Sequence, residues 1–149
     1  MRIVALAIAV TMFITSAWAG DPLVGTWKRN AEKSKSALID LSRPSTHTFT
    51  QIPGGVRLQV GPRSVDLICD GKEHAVVGGT NMRETTGADT YTATRRDNST
   101  LEITYLREGK VVSTTRHQVS SDGRVLTMTS DGVSKTGEKF HDVLIYEKQ

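Results

Sequence analysis

Apolar residues recur at every second position through most of this chain, and this alternation constrains its fold more than any other feature. Val56, Leu58 and Val60 are separated by polar residues, and the same spacing recurs from Leu101 and from Leu126. Side chains that alternate in this way point to opposite faces of a β-strand, so that one face packs on a core. The sequence therefore predicts an all-β protein.

Short polar pairs that favour tight turns separate these alternating runs. Asp70-Gly71 and Asp122-Gly123 are two of them, and both tolerate the positive φ angles of hairpin turns. We predict strands near residues 23–29, 45–52, 55–61, 64–69, 73–77, 89–96, 100–107, 110–119, 124–130 and 140–147. Consecutive strands joined by tight turns pair as an antiparallel meander, and about eight to ten of them close into an up-and-down barrel without exposed edges.

Two segments depart from the strand pattern. In residues 30–44, Asn30 is a good N-cap residue, and residues with high helix propensity follow it. The pair Arg43-Pro44 at the end of this segment argues against a long helix. We expect one helical turn or an irregular crossing there. Residues 78–88 are rich in glycine and threonine, and we predict a loop or a ragged strand.

Residues 1–19 have the pattern of a secretory signal peptide. An apolar run follows a cationic start, and residues 17–19, Ala-Trp-Ala, form a small–x–small cleavage site. The run is shorter than the roughly 20 residues that span a bilayer. We expect a mature protein that begins at Gly20, forms one domain over residues 20–149, and is exported to the periplasm or the extracellular space.

Charge and cysteine content exclude several classes of protein. Removal of Arg2 with the signal peptide leaves 18 basic and 16 acidic residues, a formal charge of +2, with no run of five like charges. A phosphate-neutralising stripe is absent from the sequence, so we expect no nucleic-acid partner. The single cysteine, Cys69, excludes a disulfide scaffold and a zinc ribbon. We expect no membrane span after signal removal, and the sequence leaves the oligomeric state open.

The first predicted strand contains Gly25-Thr26-Trp27, and the chain closes with residues 145–148, Ile-Tyr-Glu-Lys. In this setting the glycine permits a sharp bend and the indole plugs one end of a barrel. A Gly-x-Trp on the first strand, with this length, strand count and ending, resembles the lipocalin and fatty-acid-binding-protein superfamily, the calycins.

The chain is also similar to small secreted bacterial proteins with lipocalin-like domains. Their pattern of Gly-Thr-Trp-Lys, Lys-Ser-Lys and Asp-Gly-Lys is matched here by residues 25–28, 33–35 and 70–72. The resemblance covers most of residues 23–149 and implies the fold more than the function.

Fatty-acid-binding proteins hold the ligand carboxylate with an Arg-x-Tyr on the last strand and an arginine on the third strand from the end. Tyr146 matches the tyrosine and Arg116 matches the earlier arginine, but Leu144 stands where the last-strand arginine belongs. A bidentate guanidinium is the strong part of such a site. We therefore expect neutral or weakly polar molecules to be preferred over long-chain carboxylates.

Two residues of this pattern have alternative roles. We interpret Trp27 as a structural plug rather than a ligand-stacking residue, since buried aromatic side chains mostly serve packing. Arg116 has three interpretations: it stacks on Trp27, it faces the cavity and meets an anionic group, or it points to solvent.

No catalytic constellation is recognisable in the sequence. Cys69 and His74 flank a predicted four-residue hairpin, and a facing pair of this kind would activate the thiol. A small buried thiol beside a surface histidine is the alternative. The four histidines, with spacings that fit no zinc motif, are His47, His74, His117 and His141. We expect no cofactor and no metal, although adjacent strands would be able to bring two histidines together.

The leading hypothesis is a secreted or periplasmic lipocalin-like barrel that binds a small, mainly apolar molecule in its lumen. Strand parity selects Tyr105, Met128, Leu144 and Tyr146 as lining residues, with Arg116 as a candidate anchor. The second hypothesis is an interaction module whose lumen is filled by side chains. The third, ranked well below both, is a small barrel enzyme.

Overall fold

The computed structural model describes residues 20–78 and 80–149; residues 1–19, on which the predicted signal peptide falls, lie outside the described residues. The described residues form ten strands and one short helix. Their bounds are β1 (Gly25–Lys35), β2 (Thr46–Ile52), β3 (Gly55–Val60), β4 (Arg63–Ile68), β5 (His74–Ala75), α1 (Asn81–Thr86), β6 (Thr90–Asp97), β7 (Thr100–Arg107), β8 (Lys110–Val119), β9 (Val125–Val133) and β10 (Lys139–Lys148).

The strands form a single antiparallel sheet that curls into a nearly closed barrel. Its order is β4-β3-β2-β1-β10-β9-β8-β7-β6-β5, so every neighbour is consecutive in the chain except β1 and β10. That pairing joins the first strand to the last, with Trp27 opposite Lys148. The predicted all-β fold, an antiparallel up-and-down barrel, is confirmed.

The seam of the barrel lies between the two edge strands, β4 and β5, and a tyrosine from β6 bridges it. The Tyr91 hydroxyl accepts a hydrogen bond from the Ile68 amide and donates one to the Asp66 carbonyl, both at 3.0 Å. Gly71 also donates to the carbonyl of Ala93 at 3.0 Å. These bonds pair backbone groups of the β4 edge that a flat sheet would leave open to other chains.

Because the strands alternate in direction, their connections fall at two ends of the barrel. We call the end with residues 20–24, the C-terminus and the β8–β9 turn the closed end. The end with the β1–β2 segment (36–45), the β3–β4 turn (61–62) and α1 is the open end. The closed end is filled by apolar side chains that are at most 3% exposed, namely Leu23, Trp27, Leu101, Val119 and Leu126.

Trp27 is fully buried at the closed end, and its indole Nε1 donates to the Leu23 carbonyl at 2.8 Å. Gly25, two residues earlier, has a φ of +138°, which L side chains rarely adopt, so that glycine permits the bend that leads into the indole. The cation over the indole is Lys148, whose Nζ lies 4.9 Å from the ring centroid. Arg116 does not stack on Trp27, because its side chain is exposed on β8, where Arg116 lies opposite Glu102 and Thr129.

The helical turn predicted after Asn30 is wrong, because β1 continues to Lys35. The Asn30 side chain accepts a hydrogen bond from the Lys33 amide at 3.1 Å, and the register with β10 shifts between Asn30 and Lys35. The polar side chain therefore stabilises a bulge inside a strand rather than a helix start. The rest of the segment, to residue 45, is irregular, as predicted.

The loop or ragged strand predicted over 78–88 is also wrong, because this segment contains α1. The Thr80 hydroxyl caps the helix by accepting from the Arg83 amide at 3.0 Å, and Gly87 ends it at a φ of 72°. Glu84 of this helix forms an ion pair with Arg63 of β4 at 2.7 Å. That contact holds the helix against the open end.

Candidate functional site

The barrel encloses a cavity of about 430 Å³ that reaches the surface at the open end. Exposed residues from three connections form its mouth: Leu38, Pro62 and Asn81 are examples. A volume of this size is typical of small-molecule sites. The lumen is therefore not filled by side chains, as the interaction-module hypothesis would require.

The four lining residues selected by strand parity all contribute to the wall of this cavity. Tyr105, Leu144 and Tyr146 are buried, and Met128 is half-buried. The strands bring them together from β7, β9 and β10, which are neighbours or near neighbours in the sheet. Their part in binding a ligand stays a prediction.

Arg116, the candidate anchor, is placed on the outer face of β8. Its side chain is exposed, while Thr115 and His117 on either side of it line the cavity. Arg116 therefore does not occupy the inward position that an anchor needs. Successive residues of a strand point to opposite faces, and here Thr115 and His117 point inward. Of the three interpretations, the structure matches the solvent-facing one.

Two histidines and a tyrosine form the deep part of the cavity. His47 Nε2 and the Tyr146 hydroxyl share a hydrogen bond of 3.2 Å, and their ring centroids are 4.4 Å apart. His117 packs edge-on against Phe49 with centroids 5.5 Å apart. Within the described residues, both ring nitrogens of His117 and Nδ1 of His47 have no hydrogen-bond partner.

Burial keeps these groups uncharged at neutral pH. It lowers the pKa of His117 to about 3 and, with help from the nearby Arg29 charge, the pKa of His47 to about 4. It also raises the pKa of Tyr146 to about 12 and that of Tyr105 still further. The deep cavity therefore presents neutral rings and hydroxyls that can exchange hydrogen bonds without carrying charge.

A row of polar side chains crosses one wall of the cavity. Thr115 of β8, Ser130 of β9 and Asp142 of β10 lie directly opposite one another in the register of three neighbouring strands. All three are at most 4% exposed, and the hydroxyls of Thr115 and Ser130 are 3.0 Å apart. We call these three residues the polar row.

Apolar side chains line the opposite wall of the cavity. Leu58 and Val65 come from β3 and β4, Ile39 comes from the β1–β2 segment, and Met82 comes from α1. β3 and β8 are five places apart in the order of ten strands, so they face each other across the barrel. Polar and charged side chains, among them Arg63, Ser64 and Glu84, also lie on this side of the cavity.

Arg29 adds a cation beside Tyr146, its direct partner in the pairing of β1 with β10. Its Nη2 donates to the carbonyls of Asp40 and Arg43, which ties the guanidinium to the β1–β2 segment. The sequence analysis did not select Arg29, although the residue lies in the first predicted strand and shares the parity of buried Trp27.

Sequence reasoning also missed His47, His117 and the polar row. A signal was present, since Thr115 and His117 share the parity of buried Val119 on β8. The sequence analysis took its one charged candidate, Arg116, from a family pattern and did not apply strand parity to the polar residues beside it.

The possible Cys69–His74 pair is not formed. Cys69 Sγ lies 3.5 Å from the Leu67 carbonyl, and burial raises the pKa of its thiol, the opposite of what a nucleophile needs. His74 Nε2 instead pairs with Asp70 Oδ1 at 2.8 Å. The predicted hairpin does not exist, because β4 and β5 are the two edges of the sheet.

Among residues 20–78 and 80–149, no three His, Cys, Asp or Glu side chains are grouped so that they would hold a metal ion. The same part of the chain contains no helix with the length and apolar character needed to cross a bilayer.

No family model matches the chain, and no curated protein matches it in sequence. Solved structures do match it. Zebrafish ileal bile acid-binding protein, complexed with cholic acid, superposes with a TM-score of 0.56 at 13% identity, over 86% of this chain and 99% of that protein. As-p18, an extracellular fatty acid binding protein, superposes with a TM-score of 0.51 at 16% identity, over 87% of this chain and 97% of that protein. The chain therefore shares the antiparallel β-barrel fold of these two proteins.

Proposed function

We propose that this protein binds a small, mainly apolar, uncharged molecule in the lumen of its barrel, after export to the periplasm or the extracellular space. The observation that carries the proposal is the cavity of about 430 Å³, which is open at one end and lined mainly by apolar and uncharged polar side chains, with Arg29, Arg63, Glu84 and Asp142 as the charged exceptions. Such a combination of apolar walls and a few polar groups is typical of small-molecule sites.

Two further observations support the proposal. The similar barrels include one that is complexed with cholic acid and one described as an extracellular fatty acid binding protein. His47 and His117 are neutral at physiological pH, and Leu144 supplies no charge at the position of the carboxylate-binding arginine. A buried carboxylate that lacks a full partner loses several kcal/mol of hydration. Export is supported by the pattern of residues 1–19, and N-terminal sequencing of the exported protein is expected to find Gly20 first.

The binding test uses the neutral dye N-phenyl-1-naphthylamine, whose fluorescence rises in an apolar site. We expect saturable binding of one dye per protein. Leu58→Trp, which adds a large ring inside the cavity, is expected to weaken binding by about tenfold or more. Gln59→Trp is the matched control, because Gln59 is the next residue of β3 and is exposed.

Two results would contradict the proposal. Failure of the wild-type protein to bind the dye, or equal weakening by both tryptophan variants, would show that the lumen is not the binding site. A paired titration with a long-chain acid and its alcohol then tests the charge preference. Binding of the acid at least about tenfold tighter than the alcohol would contradict the preference for uncharged ligands.

A further inference from the structure

One charged side chain inside the cavity lacks a counter-charge. Asp142 of β10 lines the cavity and is 4% exposed, and its Oδ1 has no hydrogen-bond partner in the described part of the chain. Among residues 20–78 and 80–149, no lysine, arginine or histidine forms an ion pair with this carboxylate. Burial of a carboxylate without a cation or a donor is costly, and a ligand that supplies both removes that cost.

The other charged side chains that line the cavity already have partners. Arg63 forms an ion pair with Glu84 at 2.7 Å beside the mouth. Arg29 donates to two backbone carbonyls of the β1–β2 segment. Burial keeps the two lining histidines uncharged at neutral pH. Asp142 is therefore the charge of the described lining for which a ligand has to supply the partner.

Two hydroxyl groups lie beside this carboxylate on the same wall. Ser130 is the direct partner of Asp142 in the pairing of β9 with β10, and Thr115 is the partner of Ser130 on β8. Side chains that face each other directly in an antiparallel pair have Cβ atoms about 5 Å apart, so a ligand atom between them reaches both. Thr115 and Ser130 share one hydrogen bond of 3.0 Å, which leaves lone pairs on their oxygens. The polar row thus offers a negative charge with hydroxyl acceptors next to it.

A primary ammonium group is the complement of this arrangement. It has a compact positive charge and three N–H donors, and it accepts no hydrogen bond. One N–H reaches Oδ1 of Asp142, and another reaches the hydroxyl of Ser130. A neutral hydroxyl group supplies a donor but leaves the charge of the carboxylate unbalanced. A carboxylate on the ligand would place a like charge beside Asp142, which is unfavourable.

We propose that the lumen also binds amphipathic primary amines, with the ammonium group on Asp142 and Ser130 and the hydrocarbon part on apolar side chains deeper in the cavity. Leu144 and Met128 line the cavity two residues deeper on β10 and β9. The inference rests on the lumenal site proposed above and adds a class of ligand to it. The preference for uncharged molecules over carboxylates is unaffected, because a carboxylate finds no full partner in the lumen whereas an ammonium group finds one.

The test compares two ligands of equal chain length, 1-decylamine and 1-decanol, as competitors of N-phenyl-1-naphthylamine at pH 7. The amine is protonated at this pH, since an alkylammonium group resembles that of lysine, with a pKa of about 10.4. We expect decylamine to bind about tenfold tighter than decanol or more, because only the amine supplies both a charge and donors to Asp142. Transfer from water alone predicts the reverse order, since the ammonium group is strongly hydrated.

A variant of the carboxylate tests where this preference arises. Asp142→Asn replaces the charge with a neutral amide of the same shape. We expect about tenfold weaker binding of decylamine and a change below about twofold for decanol, so that the preference disappears. Asp131→Asn is the matched control, because it removes the same charge from an exposed position next to Ser130, and it should keep the preference. Circular dichroism verifies that each variant is folded.

A second comparison needs only the wild-type protein. Decyltrimethylammonium has the same charge and chain as decylamine, but it has no N–H donor, and its methyl groups keep the nitrogen away from a carboxylate. We expect it to bind at least about fivefold more weakly than decylamine. Equal binding of the two cations would show that the polar row does not receive the amine.

The outcomes distinguish this inference from the proposed function. If decanol displaces the dye as well as decylamine does, or better, the amine site is wrong and the lumenal site for uncharged molecules stands. Binding of the dye without displacement by the amine has the same meaning. A preference for decylamine that survives Asp142→Asn, or that Asp131→Asn abolishes equally, also overturns the inference, because the attraction would arise elsewhere on the protein. If the dye does not bind at all, the proposed function fails and the inference fails with it.

Discussion

The two halves of the barrel differ in how densely they are packed. At the closed end the buried indole nitrogen of Trp27 donates to the Leu23 carbonyl, and the apolar side chains around it are at most 3% exposed. Around the cavity, the buried polar atoms of His117 and Asp142 have no protein partner in the described residues. Arg95 Nη1 and Thr100 Oγ1 at the closed end also lack a partner among the described residues. The halves therefore differ chiefly in packing, because apolar side chains fill the closed end whereas the other half contains the cavity.

One end of the sheet therefore stabilises the fold, and the other half forms the candidate binding site. Unsatisfied buried groups and cavities lower the free energy of unfolding, so a protein retains them where they serve another purpose. The closed end compensates by dense packing around Trp27 and by the tie from Arg95 to Asp21 at 2.7 Å. Substitutions at the two ends should therefore have effects of different kinds.

The largest effect is expected from breaking the closed end. Trp27→Ala should lower the free energy of unfolding by about 3–5 kcal/mol, because it removes a fully buried aromatic side chain. Urea denaturation measures the change. Trp27 does not line the cavity, so the variant should still bind the dye wherever it remains folded. A loss below about 1 kcal/mol would show that the indole does not plug the barrel.

Acid should destabilise the cavity half next most strongly. The pKa values of His47 and His117 are about 4 and 3 in the folded protein, below the unfolded value of 6.5. The unfolded state therefore binds protons first, and stability that is full above pH 6.5 is lost as the pH falls toward 4 and 3. Between pH 7 and pH 5 each histidine should contribute a loss of up to about 2 kcal/mol.

To test whether the buried histidines cause this loss, the free energy of unfolding of the wild-type protein and of His117→Gln is measured at pH 7 and pH 5. The variant should lose roughly half of the pH dependence. His141→Gln, which removes an exposed histidine that pairs with Asp131, is the control, and the His117 variant should lose more of the dependence than this one. An unchanged slope in the His117 variant would mean that acid acts elsewhere.

A third prediction sharpens the comparison through a gain of stability. Asp142→Asn should raise the free energy of unfolding by about 1 kcal/mol in the protein without ligand, because it replaces a buried carboxylate whose Oδ1 has no hydrogen-bond partner among the described residues. Denaturation of Asp131→Asn provides the exposed control. Marked destabilisation by Asp142→Asn would show that the carboxylate supports the fold itself.

The smallest effect is expected at the edge of the closed end. Lys148→Met should cost about 0.5–1 kcal/mol through loss of the cation over the Trp27 ring. Arg116→Met is the control and should change stability by less, since Arg116 is exposed on the outer face. Equal effects of the two variants, measured by thermal or urea denaturation, would argue against the contact with the indole.

Much of the fold followed from local features of the chain. All ten strands were predicted, with the β7 and β8 bounds correct to the residue. The turn between them, Glu108-Gly109, has positive φ at both residues, 51° and 75°, as tight hairpins require. The errors at Asn30 and at α1 share one cause. Short polar segments are compatible with several local structures, and contacts with β10 or with Arg63 select one of them.

The candidate site was predicted only in part. The alternation of inward and outward residues correctly placed Tyr105 and Tyr146 on the cavity. In a regular strand every second side chain points to the same face, so the buried residues identify the inward one. Parity also places Arg116 outside, between Thr115 and His117, although its match to a family pattern had suggested an anchor. Position within the strand decided its exposure, and chemical type did not.

The sequence by itself determined the strands, their turns and the apolar faces that bury Trp27, because these depend on residues that are near one another in the chain. Only the tertiary structure decided that the barrel closes around a cavity and that polar side chains converge there. His47 and Tyr146 are 99 residues apart and share a hydrogen bond, and Thr115 and Asp142 reach the same wall through the register of β9. Alternation specifies a face within each strand, whereas the register between strands sets which faces meet.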